Sequence, residues 1–110
     1  MRPAIFHIRA REAIREFPKS VRMSIGKAVW QLQAGLRLTM PLSKPMSEVA
    51  RGAEELRIRD PSGAYRVFYW FRDARGVLVF HAFVKKSQNT PRQEIEIGRR
   101  RLRELLDEID

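Results

Sequence analysis

The side chains best suited to chemistry in this sequence are cations in neighbouring segments of predicted β-structure. They are Arg57, Arg59, Arg66, Lys85 and Lys86. A guanidinium group stays charged at any ordinary pH and binds phosphate oxygens in a planar fork. A lysine among like charges has a lowered pKa, so it can also give up or take up a proton. This combination favours the binding and cleavage of a phosphodiester.

The spacing of these cations predicts that two of them face each other across a β-hairpin. Turn-forming residues at 60–63 separate the segments that hold Arg57 and Arg66, and a turn of this length places the two arginines directly opposite each other. Like charges so placed destabilise a strand pair, so we expect an anion to bind beside them. A turn one residue shorter would place Arg57 opposite Val67 and separate the pair.

A second predicted turn at 73–76 adds a third strand, and alternation along the strands sorts the side chains into two faces. The face expected to pack on the N-terminal helices holds Leu56, Ile58, Tyr65, Val67, Tyr69, Phe71, Leu78, Phe80, Ala82 and Val84. The opposite face holds Arg57, Arg59, Arg66, Phe68, Trp70, His81, Phe83 and Lys85. Cations beside rings suit phosphates and stacked bases, although a covering helix would bury the same rings. For Trp70 we expect burial.

The reaction that fits the cationic face is cleavage of RNA through its own 2′-hydroxyl group. That hydroxyl must be deprotonated, the crowded phosphorus must be stabilised by cations, and the leaving oxygen must be protonated. Arg57 and Arg66 suit charge stabilisation, and Lys85 or Lys86 can act as the acid or the base. His81 is a candidate proton shuttle, although a histidine in an apolar strand is more often a packed residue.

Further candidates for RNA binding lie beside these positions. Arg59 precedes the first predicted turn, and Gln88 follows the lysine pair. Lys44 and Arg51 belong to residues 37–53, a basic segment whose prolines and glycine argue against a long regular element. Long segments of this kind often carry function in small domains.

Other chemistries find no support in the sequence. The chain has no cysteine, and His7 and His81 are far apart. No group of carboxylates falls near the predicted basic face, so we expect no metal and no cofactor. A glycine-rich phosphate loop and a Ser-His-Asp order are also missing.

The composition of the chain indicates one small basic domain spanning residues 1–110. Its formal net charge is +9 and its pI about 11.0, which suggests a polyanionic partner and above all nucleic acid. No apolar run approaches the roughly 20 residues of a membrane span. The N-terminus also lacks the apolar stretch of a signal peptide. We expect a soluble, cytoplasmic protein that makes no membrane contact.

The order of the predicted elements indicates an α+β fold, in which an N-terminal strand and a helical hairpin pack on a small, mainly antiparallel sheet and a helix ends the chain. Strands are expected at 3–8, 54–59, 64–72 and 77–85. Helical spacing predicts one helix that ends before Pro18 and a second that begins at Pro18, includes Leu36 in its apolar stripe and stops near Gly35.

The C-terminal helix has a clear predicted start. Thr90 is expected to be its N-cap, Pro91 its first helical residue and Gln93 the partner in a capping box. The predicted buried stripe holds Ile95, Gly98, Leu102, Leu105 and Ile109. The arginines expected to point largely outward are Arg99, Arg100, Arg101 and Arg103.

Three segments together resemble one known family. They are ELRIRD, GAYRVFYWF and HAFVKKSQNTPRQEIEIGRRRLREL. The sequence is similar to the RelE/HigB superfamily of type II toxins, in particular its phage-derived HigB-like branch, with a pattern of E-L-R, Y-R-V-x-Y and H-x-F-x-K-K-(S/T)-Q-K-T-P. The resemblance extends from about Glu54 to Leu105. Asn89 departs from it, because a lysine is usual there.

The resemblance implies a ribosome-dependent mRNA interferase. Such toxins enter the A site of the 70S ribosome and cut mRNA without a metal, by attack of the 2′-hydroxyl. A cognate helix-turn-helix antitoxin of the HigA type neutralises them, and operator DNA is bound only through that complex. By position, Arg57, Arg66, Lys85 and Lys86 match the basic active-site pattern of the family, with Gln88 and His81 adjacent.

Three alternatives remain open at this point. ParE toxins share the fold but poison DNA gyrase without cutting RNA, and retention of the strand arginines and the lysine pair argues against that reading. A basic RNA-binding module would use the same face without catalysis. An inactive remnant of a phage locus would carry the same residues.

Overall fold

The computed structural model describes residues 1–86 and 88–110, so Ser87 of the KKSQNTP segment lies outside the described residues. In chain order its elements are β1 (Ala4–Phe6), α1 (Ile8–Arg15), α2 (Lys19–Gln33), β2 (Ser43–Pro45), β3 (Ala53–Asp60), β4 (Gly63–Asp73), β5 (Gly76–Lys85) and α3 (Arg92–Ile109). The α+β fold predicted from the sequence is confirmed. In the part of the chain that the structure describes, no helix has the length and apolar character needed to cross a membrane.

The described strands form a single sheet in the order β1-β5-β4-β3-β2. The hairpins that join β3, β4 and β5 make the centre antiparallel, and β1 lies parallel to β5 at one edge. The other edge is β2, a short strand that the sequence analysis did not predict within residues 37–53. It pairs Lys44 with Glu55 and so brings this basic segment beside the arginine strands.

Two apolar clusters lie on opposite faces of the sheet. One joins α1 and α2 to the sheet, and the stripe of Val21, Ile25, Ala28, Val29 and Leu32 is buried in it as predicted. Leu36, which was assigned to the same stripe, lies beyond α2 and is exposed. The second cluster joins α3 to the other face through Ile95, Leu102 and Leu105. The sheet is therefore covered by helices on both sides.

The first hairpin has the predicted register, and the second has it only in part. Arg57 is paired with Arg66, as the turn at 60–63 requires. Between β4 and β5 the pairing shifts after Phe68, so that Phe80 is an extra residue between the partners of Phe68 and Tyr69. This β-bulge moves Leu78 and Phe80 into the α3 cluster. Their assignment to the α1–α2 face was wrong.

The start of α3 also differs from the prediction. Pro91 is the N-cap residue, and no side chain caps the helix. The hydroxyl of Thr90 instead donates a hydrogen bond to Glu55 on β3, with 2.8 Å between the oxygens. The predicted capping role of Thr90 is therefore wrong, because a buried carboxylate competes for its hydroxyl. Pro18 likewise precedes α2 as its N-cap.

Gly98 sets how closely α3 lies on the sheet. A Cβ atom at this position would be 2.7 Å from a ring carbon of Phe68, closer than such atoms normally approach. The absence of a side chain lets the helix rest on this ring. Since residues 88–91 lead directly into α3, the position of the helix also fixes where the segment after β5 ends.

Candidate nucleic-acid interface

The opposed arginines of the first hairpin have different environments. Arg57 is half-buried, whereas the side chain of Arg66 is 1% exposed. Glu55 lies two residues before Arg57 on the same face of β3, and its Oε1 atom is 3.7 Å from Nε of Arg66. The carboxylate of the chain itself therefore provides part of the negative charge that the opposed arginines require. This reduces the repulsion expected from the pairing.

The ion pair leaves Arg66 incompletely hydrogen-bonded. Its Nη1 atom donates to the carbonyl oxygen of Tyr65 at 3.2 Å. Its Nε atom is buried and has no hydrogen-bond partner among the described residues, because 3.7 Å to Glu55 is too long. Burial lowers the pKa of Arg66, and the charge of Glu55 opposes that shift. Arg66 is therefore a charge beneath the surface and not a freely exposed phosphate ligand.

Glu55 is the functional candidate that the sequence analysis missed. It is 2% exposed, and its Oε2 atom accepts the hydrogen bond from Thr90. One carboxylate thus joins Arg66 on β4 to the segment that precedes α3. Alternation along β3 places Glu55 on the same face as Arg57, so the strand pattern contained the signal.

A cavity of about 530 Å³ opens beside this pair. Its lining brings together four of the predicted catalytic residues, Arg57, Arg66, Lys85 and Lys86, with the predicted RNA-binding residues Arg59 and Gln88 and with Ala64. An adjoining cavity of about 270 Å³ is lined by three cations and two carboxylates together with four uncharged residues, namely Lys44, Arg57, Lys85, Glu48, Glu55, Met46, Gln88, Asn89 and Thr90. Residues from β2, β3, β5 and the segment before α3 thus converge on one place. We call these two cavities the cationic pocket.

Lys85 is the residue of the cationic pocket best placed for proton transfer. Burial lowers its pKa, and the neighbouring charge of Arg66 lowers it further. Its ammonium group donates a hydrogen bond to the carbonyl oxygen of Gln88, which holds the end of β5 against the following segment. Lys86 is exposed. The pocket can therefore bind an anion through several cations and exchange a proton with it through one lysine.

The predicted RNA-binding residues are only partly brought together. Arg59, Gln88 and Lys44 line the cationic pocket. Arg51 is exposed in the turn before β3 and belongs to neither of the two cavities. The chain thus concentrates cations at one end of the β3–β4–β5 hairpins and leaves Arg51 outside that concentration.

Residues 12–103 match the family described as phage-derived protein Gp49-like (DUF891). The chain belongs to this family. It is a toxin-like family, and the match covers most of the chain, from α1 to α3. No curated protein matches the chain.

The position of His81 in this Gp49-like protein argues against the predicted proton shuttle. The residue is 3% exposed and lines neither cavity of the cationic pocket. Arg101 donates to Nδ1 at 2.8 Å, and because arginine can only donate, the ring proton must lie on Nε2, which donates to Glu94 at 2.8 Å. Both nitrogens are therefore engaged inside the protein. Arg101, predicted to point outward, turns inward for this contact.

The aromatic side chains on the predicted cationic face, Phe68, Trp70 and Phe83, do not form an exposed stacking surface. Phe68 and Phe83 are buried and pack edge to face, and Phe83 stacks on His81 with 5.1 Å between ring centroids. Trp70 is partly buried against the same α3 cluster, as expected. Helix α3 covers these rings, so recognition at the cationic pocket depends on charge and hydrogen bonding.

Proposed function

We propose that this Gp49-like protein is the toxin of a type II toxin–antitoxin system and that it cuts mRNA on the ribosome by metal-independent attack of the 2′-hydroxyl. The observation that carries the proposal is the cationic pocket, in which Lys85 has a lowered pKa beside Arg57 and Arg66. Membership of a toxin-like family supports a toxin. The proposal that the protein acts in the ribosomal A site rests on its resemblance to RelE/HigB toxins.

The role that we assign to each residue of the pocket depends on how exposed its side chain is. Arg57 and Lys86 bind the scissile phosphate, because they line the pocket and reach solvent. Arg66 stabilises the developing negative charge from below, where the low dielectric strengthens its field. Lys85 acts as the acid or the base of the cleavage, because its lowered pKa makes the ammonium group easier to deprotonate at ordinary pH.

The proposed partners follow from the same resemblance. A cognate helix-turn-helix antitoxin binds and neutralises the toxin, and operator DNA is contacted only through the complex of the two. The 70S ribosome is the other proposed partner, and its RNA offers a polyanionic surface. The net charge of +9 favours association with both ribosomal RNA and an acidic protein segment.

Mapping the 5′ ends of mRNA in cells that express the protein tests the proposal. We expect new ends at a constant position within codons of translated regions, and none in cells that express the Lys85→Ala, Lys86→Ala variant. A Lys19→Ala, Arg103→Ala variant removes the same charge from exposed positions and is expected to cut like the wild type. Intact mRNA together with DNA damage would overturn the proposal in favour of a gyrase toxin. Unchanged cutting by the double-lysine variant would exclude Lys85 and Lys86 from catalysis.

A further inference from the structure

A cleft of about 370 Å³ lies between α2 and the end of β3. Helix α2 contributes Ser24, Lys27 and Gln31 to its lining, and β3 contributes Arg57 and Arg59. No feature of the sequence had marked the three α2 residues as functional. The rest of the lining is apolar and consists of Ala28, Leu42 and Ile58, so the described residues contribute three cations and no carboxylate to the cleft.

The cations of this cleft are unneutralised. Among the described residues, no ion pair involves Lys27, Arg57 or Arg59. Asp60, the acid that follows Arg59, accepts hydrogen bonds from Ser62 and from Ser20 instead. By comparison, the buried Arg66 is paired with Glu55. Like charges held together without a counter-charge destabilise one another, and an anion bound between them would relieve this repulsion.

The cleft shares Arg57 and Arg59 with the cationic pocket, because these two residues line both. The two arginines are two residues apart on one strand, so their Cα atoms are about 6.8 Å apart. Neighbouring phosphates of an extended single strand have a similar separation. A strand whose scissile phosphate lies at Arg57 therefore reaches Arg59 and Lys27 with its next phosphate.

We propose that this cleft is a second subsite for single-stranded RNA, which binds the nucleotide next to the one that is cut. Lys27 and Arg59 bind its phosphate, and Gln31 and Ser24 hydrogen-bond to its sugar or its base edge. The subsite rests on the proposed function only in taking RNA as the ligand of the cationic pocket. It makes the footprint of the protein longer than the scissile dinucleotide.

Binding of a fluorescent single-stranded RNA with 2′-O-methyl groups tests the subsite separately from cleavage, because the blocked hydroxyl cannot attack. Dissociation constants are measured by anisotropy over a series of KCl concentrations. Each lost phosphate contact lowers the slope of log affinity against log salt by about 0.7 for a single strand. We expect Lys27→Ala to lower the slope by about this amount. We expect Gln31→Ala to weaken binding without changing the slope.

Lys19→Ala is the matched control, because Lys19 is an exposed lysine about 12 Å earlier on the same helix and outside the cleft. Its slope is expected to equal that of the wild type. Equal slopes for Lys27→Ala and Lys19→Ala would overturn the subsite, as would a wild type that fails to bind the oligonucleotide at low salt. If Lys27→Ala lowers the slope but the wild type leaves mRNA uncut in cells, the subsite stands and the proposed nuclease activity fails.

Discussion

The cationic pocket and the charged network beneath α3 use the same kinds of side chain in opposite ways. Under α3, His81 contacts Glu94 and Arg101, and His7 contacts Glu104 at 2.8 Å, so acids and bases are matched inside the protein. In the pocket, Arg57 and Arg59 have no ion-pair partner within the described residues. Charges paired inside a protein satisfy one another, whereas clustered exposed cations attract anions from solution. The comparison favours the pocket over the network as the place where an anionic ligand binds.

The largest expected effect that separates the two regions is the loss of activity in Arg57→Ala. Removal of a group that stabilises charge in a transition state costs roughly 100-fold to 1,000-fold in rate. We expect mRNA cleavage to fall by about that factor while the melting temperature stays the same or rises, since the substitution breaks no ion pair among the described residues and removes the repulsion from Arg66. Arg103→Ala on the outer side of α3 should retain full activity. Equal activity of the two variants would remove Arg57 from the site.

Arg66→Ala should lower both stability and activity, although it also removes the repulsion between Arg66 and the opposite Arg57. The substitution leaves Glu55 buried beside a cavity without its counter-charge, which costs about 3 kcal/mol of unfolding free energy. Urea denaturation measures this loss. The Arg66→Ala, Glu55→Gln double variant should recover part of it, because the unpaired charge is gone. If Arg66→Ala is as stable as Arg57→Ala, Arg66 does not have the structural role inferred here.

The network under α3 should make stability depend on pH. Burial, opposed by Glu94 and reinforced by Arg101 and His7, lowers the pKa of His81 from its ordinary value of 6.5. The unfolded chain therefore takes up this proton first, so the contribution of His81 is complete above pH 6.5 and decreases as the pH falls.

Unfolding free energy should fall by up to about 1.4 kcal/mol per pH unit in this range. The His81→Asn variant, measured by thermal denaturation at matched pH values, should lose that slope just below pH 6.5. Persistence of the same slope would assign it to other groups. Mutation of Lys85 should leave this dependence unchanged, because Lys85 belongs to the pocket.

The smallest expected effect concerns the hydrogen bond that joins the pocket to the segment before α3. Thr90→Val keeps the shape of the side chain but removes its donor to Glu55, at a cost of about 1 kcal/mol in stability. Amide exchange in residues 88–90 should accelerate, and Thr90→Ser should restore the protection. Exchange that is unchanged in Thr90→Val would show that this contact does not hold the segment.

The elements of the fold could be predicted because turns and apolar periodicity are local. The turn at 60–63 defined the pairing of Arg57 with Arg66 correctly. The bulge at Phe80 could not be predicted, because it depends on how β5 packs against α3 and carries no glycine or proline signal. Strand β2 was missed because its three residues contain a proline and no alternating apolar pattern.

The residues of the candidate site could be predicted from the sequence, but their arrangement could be predicted only in part. Arg57, Lys85 and Lys86 lie together as their strands require. The burial of Arg66, the role of Thr90 and the contribution of Lys27 depend on contacts between segments distant in the sequence. The same limit applies to His81. The face of the sheet on which it lies was predicted correctly, but its two hydrogen-bond partners are on α3 and cannot be inferred from the strand alone.

The carboxylate of Glu55 has a consequence for how the protein exists between encounters with its target. A site made only of cations would repel itself in the free chain and would need its ligand, or an inhibitor, to remain folded. With Glu55 compensating for the buried charge of Arg66, the pocket does not depend on a ligand for its stability. We therefore expect the proposed antitoxin to act by covering the pocket, since it is not needed to complete the fold.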